Sequence, residues 1–491
     1  MNTLIVQNKM DLLIVMVVYL VLLVLWGVYQ GRKVKTGEDF SIGGRSLPGW
    51  AAALSERATG ESSWALLGLP GAAYAMGLVE IWTAIGCVAG IITTWALLAW
   101  RLRNEAEKYK VTTFTDYIAK RNSDLSTWVR VASSLTIVFF FFFYVGAQFL
   151  GGGKTLYTMF GIKPEWGMLI TALVIIPYTI YGGFRSVVYT DVIQAIIMII
   201  TLIVGPIVGI YYIATHNLVF AHSISEALHQ AGNGYTSVFG AGEGFTAGII
   251  IMSGFSWFFG YLGGQPQLTT RFMAIKDMNQ ARKARNIGIA WTLIAYIGAL
   301  SLGWIGIAIF GPHGLSDQEF VMPSVLLTIF HPYLAAILIT GAIAAMISTA
   351  DSLLILSSTE LFENIVKPLQ ERNGKNIDSR NSLKYSRFIT AIVAIIALVA
   401  AYFSPSNLIF TLVSYVWAGI GGTFSVVILL SLFWKRFNGK SALVTIITGM
   451  LFTIIWISSG MEEIITSRIL TFFVALFTAY ISTLLFYPKK K

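Results

Sequence analysis

The sequence predicts an all-α polytopic membrane protein with about 13 transmembrane helices. Three observations carry the prediction: a succession of apolar runs close to 20 residues long, charge confined to the segments between them, and loops that alternate between basic and base-free. Of the 491 residues 56% are hydrophobic and only 12% charged, with a mean hydropathy of +0.72. A soluble domain carries roughly a quarter charged residues, so this balance excludes one. The formal charge of +10 sits beside apolar runs, which fits membrane topology and not a nucleic-acid face.

The runs fall near 11–29, 49–75, 79–100, 126–150, 165–184, 189–213, 247–268, 286–311, 332–357, 388–403, 407–434, 441–459 and 469–487. We number them spans one to thirteen. The first is longer than a signal-peptide core and has no small-residue cleavage site, so it is read as a span. Arg32, Lys33, Lys35 and Arg45 follow span one, and Arg101, Arg103, Lys108 and Lys110 follow span three. Arg271, Lys276, Arg282, Lys283 and Arg285 are counted after span seven. Lys367, Arg372, Lys375, Arg380, Lys384 and Arg387 follow span nine, Lys435, Arg436 and Lys440 follow span eleven, and the chain ends in Lys489, Lys490 and Lys491. The loops 214–246 and 312–331 hold no Lys or Arg. This alternation places the N-terminus outside and the C-terminus in the cytoplasm of a cell-membrane protein.

No loop is long enough for a domain with its own core. The Gly-rich 214–246 reads as a flexible external lid or cap, and 358–387 as a short surface helix. The lone Cys87 excludes an intrachain disulfide, and the five histidines lie outside the spans or at their edges. Function therefore belongs to polar islands within the spans.

The first island is span two, where Glu56, Arg57, Thr59, Gly60, Glu61, Ser62 and Ser63 interrupt an apolar run. A charge at bilayer depth costs roughly 2.5–3.5 kcal/mol on insertion scales, so it persists facing a cavity or partner. Gly60 among hydroxyls predicts a helix break that frees carbonyls for a cation. Neighbours along a helix do not face one another, so Glu56 and Arg57 call for separate partners or an unwound segment. For Arg57 these are Asp351, Glu61 or a substrate carboxylate, with a structural ion pair as the plainer reading. In span nine, Ala345, Ser348, Thr349 and Ser352 share one helix face, followed by the carboxylate of Asp351. Hydroxyl and carbonyl oxygens suit a small hard cation, although small residues also serve helix packing. Gly182, Gly183, Phe184, Thr190, Asp191 and Gln194 mark the junction of spans five and six. Asp191 there is equally an ordinary helix cap and an ion-pathway residue. In span seven, Trp257, Gly260, Tyr261, Gly263, Gly264, Gln265 and Pro266 predict a second break lined by aromatic rings.

Two broken spans five apart fit a five-plus-five inverted repeat with the substrate at mid-membrane. The chain divides accordingly into 1–48 (first helix and loop), 49–213 (first repeat), 214–246 (external loop), 247–434 (second repeat) and 435–491 (two further helices and a basic tail).

The chain resembles the solute:sodium symporter family, nearest its bacterial sodium/proline members. The matching residues are Asp39, Phe40, Gly43, Gly44 and Arg45; Ser62 and Trp64 with Gly68, Leu69, Pro70 and Gly71; and Gly182, Gly183, Phe184, Thr190, Asp191 and Gln194. They continue with Gly260, Tyr261, Gln265, Pro266, Arg271, Phe272, Met273 and Ala274; Ala344, Ala345, Ser348 and Thr349; and Leu412 to Tyr415 with Trp417, Ala418 and Gly419. The resemblance implies a LeuT-type core in spans two to eleven, with one extra N-terminal and two extra C-terminal helices. It implies a sodium ion on the backbone of Ala58 and Glu61, the carbonyl of Ala345 and the hydroxyls of Ser348 and Thr349. A second sodium in some relatives corresponds to Asp191, Ser348 and Ser352. The resemblance also implies a substrate region of Trp64, Tyr144, Trp257, Tyr261 and Pro266, to which Ser62, Ser63 and Gln265 of the broken segments are added. Glu56 and Arg57, which replace small residues of the family, and Asp351 are assigned to coupling or gating as intramembrane charges.

The chain departs from that family where Gly60 stands in place of a span-two aspartate, with Glu61 beside it. Glu61 takes over that charge or titrates, which makes a proton the alternative coupling ion. Between Tyr261 and Gln265 the chain is one residue longer than the usual spacing. The expected function is import of a small amino acid, most simply proline, driven by sodium; the alternatives are a proton-coupled or sodium-independent carrier of another solute, or a transporter-like sensor. No enzyme motif is visible, and no nucleic acid or obligate protein partner is expected beyond membrane lipid.

Overall fold

The computed structural model describes residues 9–32, 34, 36, 40–41, 46–122, 124–374 and 378–487. Asp39, Gly43, Gly44 and Arg45 of the motif, the cations Lys33, Lys35, Lys375, Lys489, Lys490 and Lys491, and the side chain of Arg380 lie outside them.

Apolar runs became helices because a helix satisfies its own backbone hydrogen bonds where no water can. Eleven helical runs among the described residues are long and apolar enough to cross a membrane. The expected count of 13 is not reached because spans two and three are joined in one helical run, Gly49–Lys108 of 60 residues, and spans five and six in another, Pro164–Thr215. Gly77, with φ 64 and ψ −129, turns the chain within the first of these runs.

Several helices outrun their apolar cores. Span eight occupies Met278–Phe310 and begins with polar residues capped by Asp277, whose side chain accepts from the Gln280 N–H. Span ten begins at Ser379, capped in the same way by Asp378. Span four continues to Phe160. Spans five and six form one run, Pro164–Thr215, broken at Gly183 (φ 65, ψ 178). That φ favours glycine, and Phe40 packs against Gly183 where a side chain would stand.

The segment 214–246, expected as a flexible lid or cap, is folded. Ser223 caps the helix Ile224–Ala231, Trp82 Nε1 donates to the Val238 carbonyl at 2.9 Å, and the Ala221 N–H donates to Ala308. On the opposite side, span nine continues through a π-turn into Lys367–Arg372, so the expected surface helix is a continuation of the span.

Both expected breaks are present. Span two is helical over Gly49–Ser63, passes through a π-turn at Trp64–Gly68 and resumes at Leu69–Met76. Its irregular residue is Ser62 (φ 45, ψ −157), while Gly60 stays helical; this corrects the break expected at Gly60. The glycine is spent on packing, for Leu268 and Arg57 crowd its surface. Span seven runs Phe245–Phe255, then Trp257–Tyr261, and resumes at Pro266–Met273, with Gly263 at φ 82 in the gap. Proline at the start of the second half-helix costs no hydrogen bond. The two broken spans run antiparallel: Leu47, just before span two, exchanges backbone hydrogen bonds with Ala274 (3.2 Å) and Lys276 (3.0 Å), just after span seven.

A non-glycine residue in the conformation of Ser62 stores about 1–3 kcal/mol. Ser62→Val is expected to lower the thermal stability of the purified protein by that amount relative to Ser62→Gly. Equal melting of the two variants would place the break elsewhere.

Candidate functional site

The broken turn of span two is held by span four. Gln148 Oε1 accepts the Ser63 N–H at 3.1 Å, and the hydroxyls of Ser62 and Tyr144 lie 3.3 Å apart. Side chains here satisfy backbone groups that the break releases. Trp64 Nε1 donates to the Gly60 carbonyl at 3.1 Å, which fixes the indole across the break.

From there the aromatic residues converge. Trp64 stacks face to face on Trp257 with ring centres 4.5 Å apart and planes 8° apart. Trp417 of span eleven lies 5.7 Å from Trp257, 5.7 Å from Tyr144 and 5.3 Å from Tyr261. Gly260 is required here, because a Cβ on it would stand 2.5 Å from the Trp417 ring. Phe410 closes the group beside Trp64 and Trp257. The hydroxyl of Tyr261 meets that of Tyr296 at 3.2 Å. Buried donors in this region remain without a partner: Ser63 Oγ, Trp257 Nε1, Trp417 Nε1 and Gln265 Nε2. The structure thus brings together Ser62, Ser63, Trp64, Tyr144, Trp257 and Tyr261, with Gln265 and Pro266 at the span-seven break.

One turn toward the start of span two lies an oxygen-rich seam against span nine. Thr349 Oγ1 donates to the Thr59 carbonyl at 3.2 Å, and the hydroxyls of Thr59 and Ser352 are 3.3 Å apart. Ala58, Glu61, Ala345, Ser348 and Thr349 are all buried. The Glu61 carbonyl already accepts the Trp64 N–H, leaving its second lone pair.

Asp191 lies beside this seam. Its carboxylate accepts from Ser55 Oγ at 2.5 Å, Arg271 Nη2 at 2.9 Å and Ser348 Oγ. Arg271 also donates to Ser352 Oγ (2.6 Å), Ser55 Oγ (2.7 Å) and the Gln267 carbonyl (2.6 Å). Of the oxygens expected of a second sodium, those of Asp191 and Ser352 are therefore bonded to a guanidinium, and Ser348 bonds to Asp191. Arg271 was counted among loop cations, and the structure corrects this: span seven stays helical through Met273, which carries the side chain inward and leaves it 1% exposed.

The charges of span two form their own cluster. Arg57 donates to Glu56 Oε2 (2.5 Å), to Glu61 Oε1 (2.9 Å) and to Thr292 Oγ1 (3.2 Å), and Trp95 Nε1 donates to Glu56 at 3.2 Å. Glu56 and Arg57 thus pair with each other, contrary to the sequence expectation. The long guanidinium arm folds back along the helix surface, a reach that the spacing of neighbours along a helix does not describe. Asp351 is not Arg57's partner: it accepts from Thr179 Oγ1 of span five, and its Oδ2 has no partner. Sequence reasoning missed Gln148, Thr292, Tyr296 and Phe410, whose roles come from what other spans place against them.

The profile of the sodium:solute symporter family matches residues 40–449. The chain belongs to the sodium:solute symporter family. Sodium/proline symporter 2 of Staphylococcus saprophyticus is 34% identical over 487 residues, covering 95% of this chain and 92% of that protein. The high-affinity proline transporter PutP of Bacillus subtilis is 34% identical over 468 residues, covering 94% and 96%. Among solved structures, a Na+-coupled sialic acid symporter in a substrate-bound outward-open state superposes with a TM-score of 0.79 at 20% identity, over 98% of both chains. A nucleobase-cation-symport-1 family transporter in a closed conformation gives 0.54 at 13% identity, over 90% and 92%. These likenesses establish a multi-pass membrane protein with the LeuT-type fold of its symporter family.

Proposed function

We propose that the protein imports proline by sodium-driven symport, through alternating access. The observation that carries this is the meeting of the two broken spans at the Trp64–Trp257 stack, one helical turn from the Thr59–Thr349 seam. The names of the two 34% identical relatives support the solute and the ion. The aromatic group suits the apolar ring of proline, and the unpartnered indole, amide and hydroxyl donors suit its carboxylate. Ser62, Ser63, Tyr144, Tyr261, Gln265 and Pro266 complete this site. Rings 4.5 Å apart leave no room for a solute between them, so binding requires Trp64 and Trp257 to separate.

Sodium binds as co-substrate on the carbonyls of Ala58, Glu61 and Ala345 and the hydroxyls of Ser348 and Thr349. Its binding orders the span-two break against span nine and so raises affinity for proline; by linkage proline raises affinity for sodium. Arg271 is the fixed cation at Asp191 and Ser352, so one sodium moves per cycle. Spans two to eleven form the two repeats (49–213 and 247–434), the N-terminus lies outside and the C-terminus in the cytoplasm.

A second reading, proton coupling, rests on Glu61, which shares one guanidinium with Glu56 and keeps Oε2 without a hydrogen-bond partner. Proteoliposomes separate the two. We expect labelled proline to accumulate under an inward sodium gradient at equal pH on both sides. Accumulation under a proton gradient alone, indifferent to sodium, would overturn the sodium reading.

A further inference from the structure

Four cationic side chains are buried among the described residues: Arg57, Lys154, Arg271 and Arg468. Three are paired. Arg57 holds Glu56 and Glu61, Lys154 holds Asp317 and Glu319, and Arg271 holds Asp191. Arg468, at the start of span thirteen, has only neutral partners. It donates from Nε to Ser256 Oγ at 2.9 Å, from Nη2 to the Ser253 carbonyl at 2.9 Å, and from Nη1 to Ser414 Oγ. Its guanidinium carbon lies 4.8 Å from the centre of the Trp257 ring. Glu80 and Glu462 are within electrostatic range, yet neither bonds to it.

A buried charge whose hydrogen bonds all go to neutral groups is costly, and one that persists suits a place where an opposite charge arrives. These three bonds leave two of its five N–H groups for a ligand. Its position points the same way. Arg468 touches the ring that stacks on Trp64, and it lies within ten residues of the exposed turn 458–464, on the side where the Gly77–Glu80 turn lies within its electrostatic range. It also stands beyond residue 449, where the match to the family ends.

We propose that Arg468 is a carboxylate-binding station on the external approach to the site. The carboxylate of an arriving amino acid docks on its guanidinium before the ring passes Trp257. The guanidinium then hands the carboxylate to the indole and amide donors beyond. This inference rests on the amino-acid carrier reading, and its test separates the two.

The experiment uses the full-length protein in proteoliposomes with sodium outside. External proline and its uncharged-acid analogue prolinamide compete against labelled proline uptake, with rates expressed per molecule of folded protein. In Arg468→Met, half-saturation for proline is expected to rise about 10- to 100-fold, the factor for loss of a hydrogen-bonded charge. Prolinamide inhibition is expected to change little, so the wild-type preference for proline collapses; Arg468→Lys retains part of it. Glu80→Gln is expected to keep the preference, because Glu80 takes no part in the docking.

Equal weakening of proline and prolinamide in Arg468→Met, or unchanged half-saturation for proline, would overturn the inference, as would loss of the preference in Glu80→Gln. Should Arg468→Met fail to fold, Arg468→Lys decides: an unaltered preference refutes the station. Failure of the wild type to carry proline defeats the carrier reading by itself. The solute actually carried is then compared with its amide in the same way, and a solute lacking a carboxylate refutes the station too.

Discussion

Arg271→Met is expected to destabilise the protein by about 3–5 kcal/mol, because it leaves the Asp191 carboxylate buried with hydroxyl partners alone. The guanidinium joins Asp191, Ser352, Ser55 and the Gln267 carbonyl, so spans two, six, seven and nine all lose a tie at once. Thermal unfolding in detergent measures the loss, and Asp191→Asn combined with Arg271→Met should recover most of it. A double mutant as unstable as the single one would show that the pair is not the source. The same pairing predicts that sodium activates wild-type uptake along a single-site hyperbola. A sigmoidal dependence would mean that a second ion displaces Arg271.

Thr349→Ala is expected to raise the sodium concentration for half-maximal proline uptake about 10- to 100-fold, with Thr349→Ser close to wild type. Losing one charge-assisted oxygen contact costs about 1.5–3 kcal/mol, which gives that factor. The Thr349 hydroxyl is aimed at the Thr59 carbonyl, so its removal opens the seam between spans two and nine without touching the aromatic group. Sodium titration of uptake in proteoliposomes checks this. An unshifted titration for Thr349→Ala would place the ion away from this seam.

The architecture was legible because lipid makes polarity expensive. Glu56, Arg57, Glu61 and Asp351 within apolar runs had to be buried, and all four are. The span-seven break was readable from Gly263, Gly264 and Pro266, whose backbone preferences act locally. The span-two break was misplaced by two residues because its cause is tertiary: Gln148 and Tyr144 of span four bond to Ser63 and Ser62. Arg271 was misread for a related reason. A basic residue at a hydropathy boundary looks alike whether the helix stops before it or carries it inward to a carboxylate 80 positions away. The pairing of Glu56 with Arg57 escaped because side-chain reach is invisible to helical spacing.

The backbone stitch between Leu47 and the Ala274–Lys276 segment ties one end of span two to one end of span seven. Each peptide hydrogen bond there forbids those ends from sliding past each other. The halves of the two helices on that side of the breaks are therefore expected to move together, with spans six and nine joined to them through Arg271. Under the proposed symport, a displacement at the Thr59–Thr349 seam is then transmitted to the aromatic site, which couples the two seats mechanically.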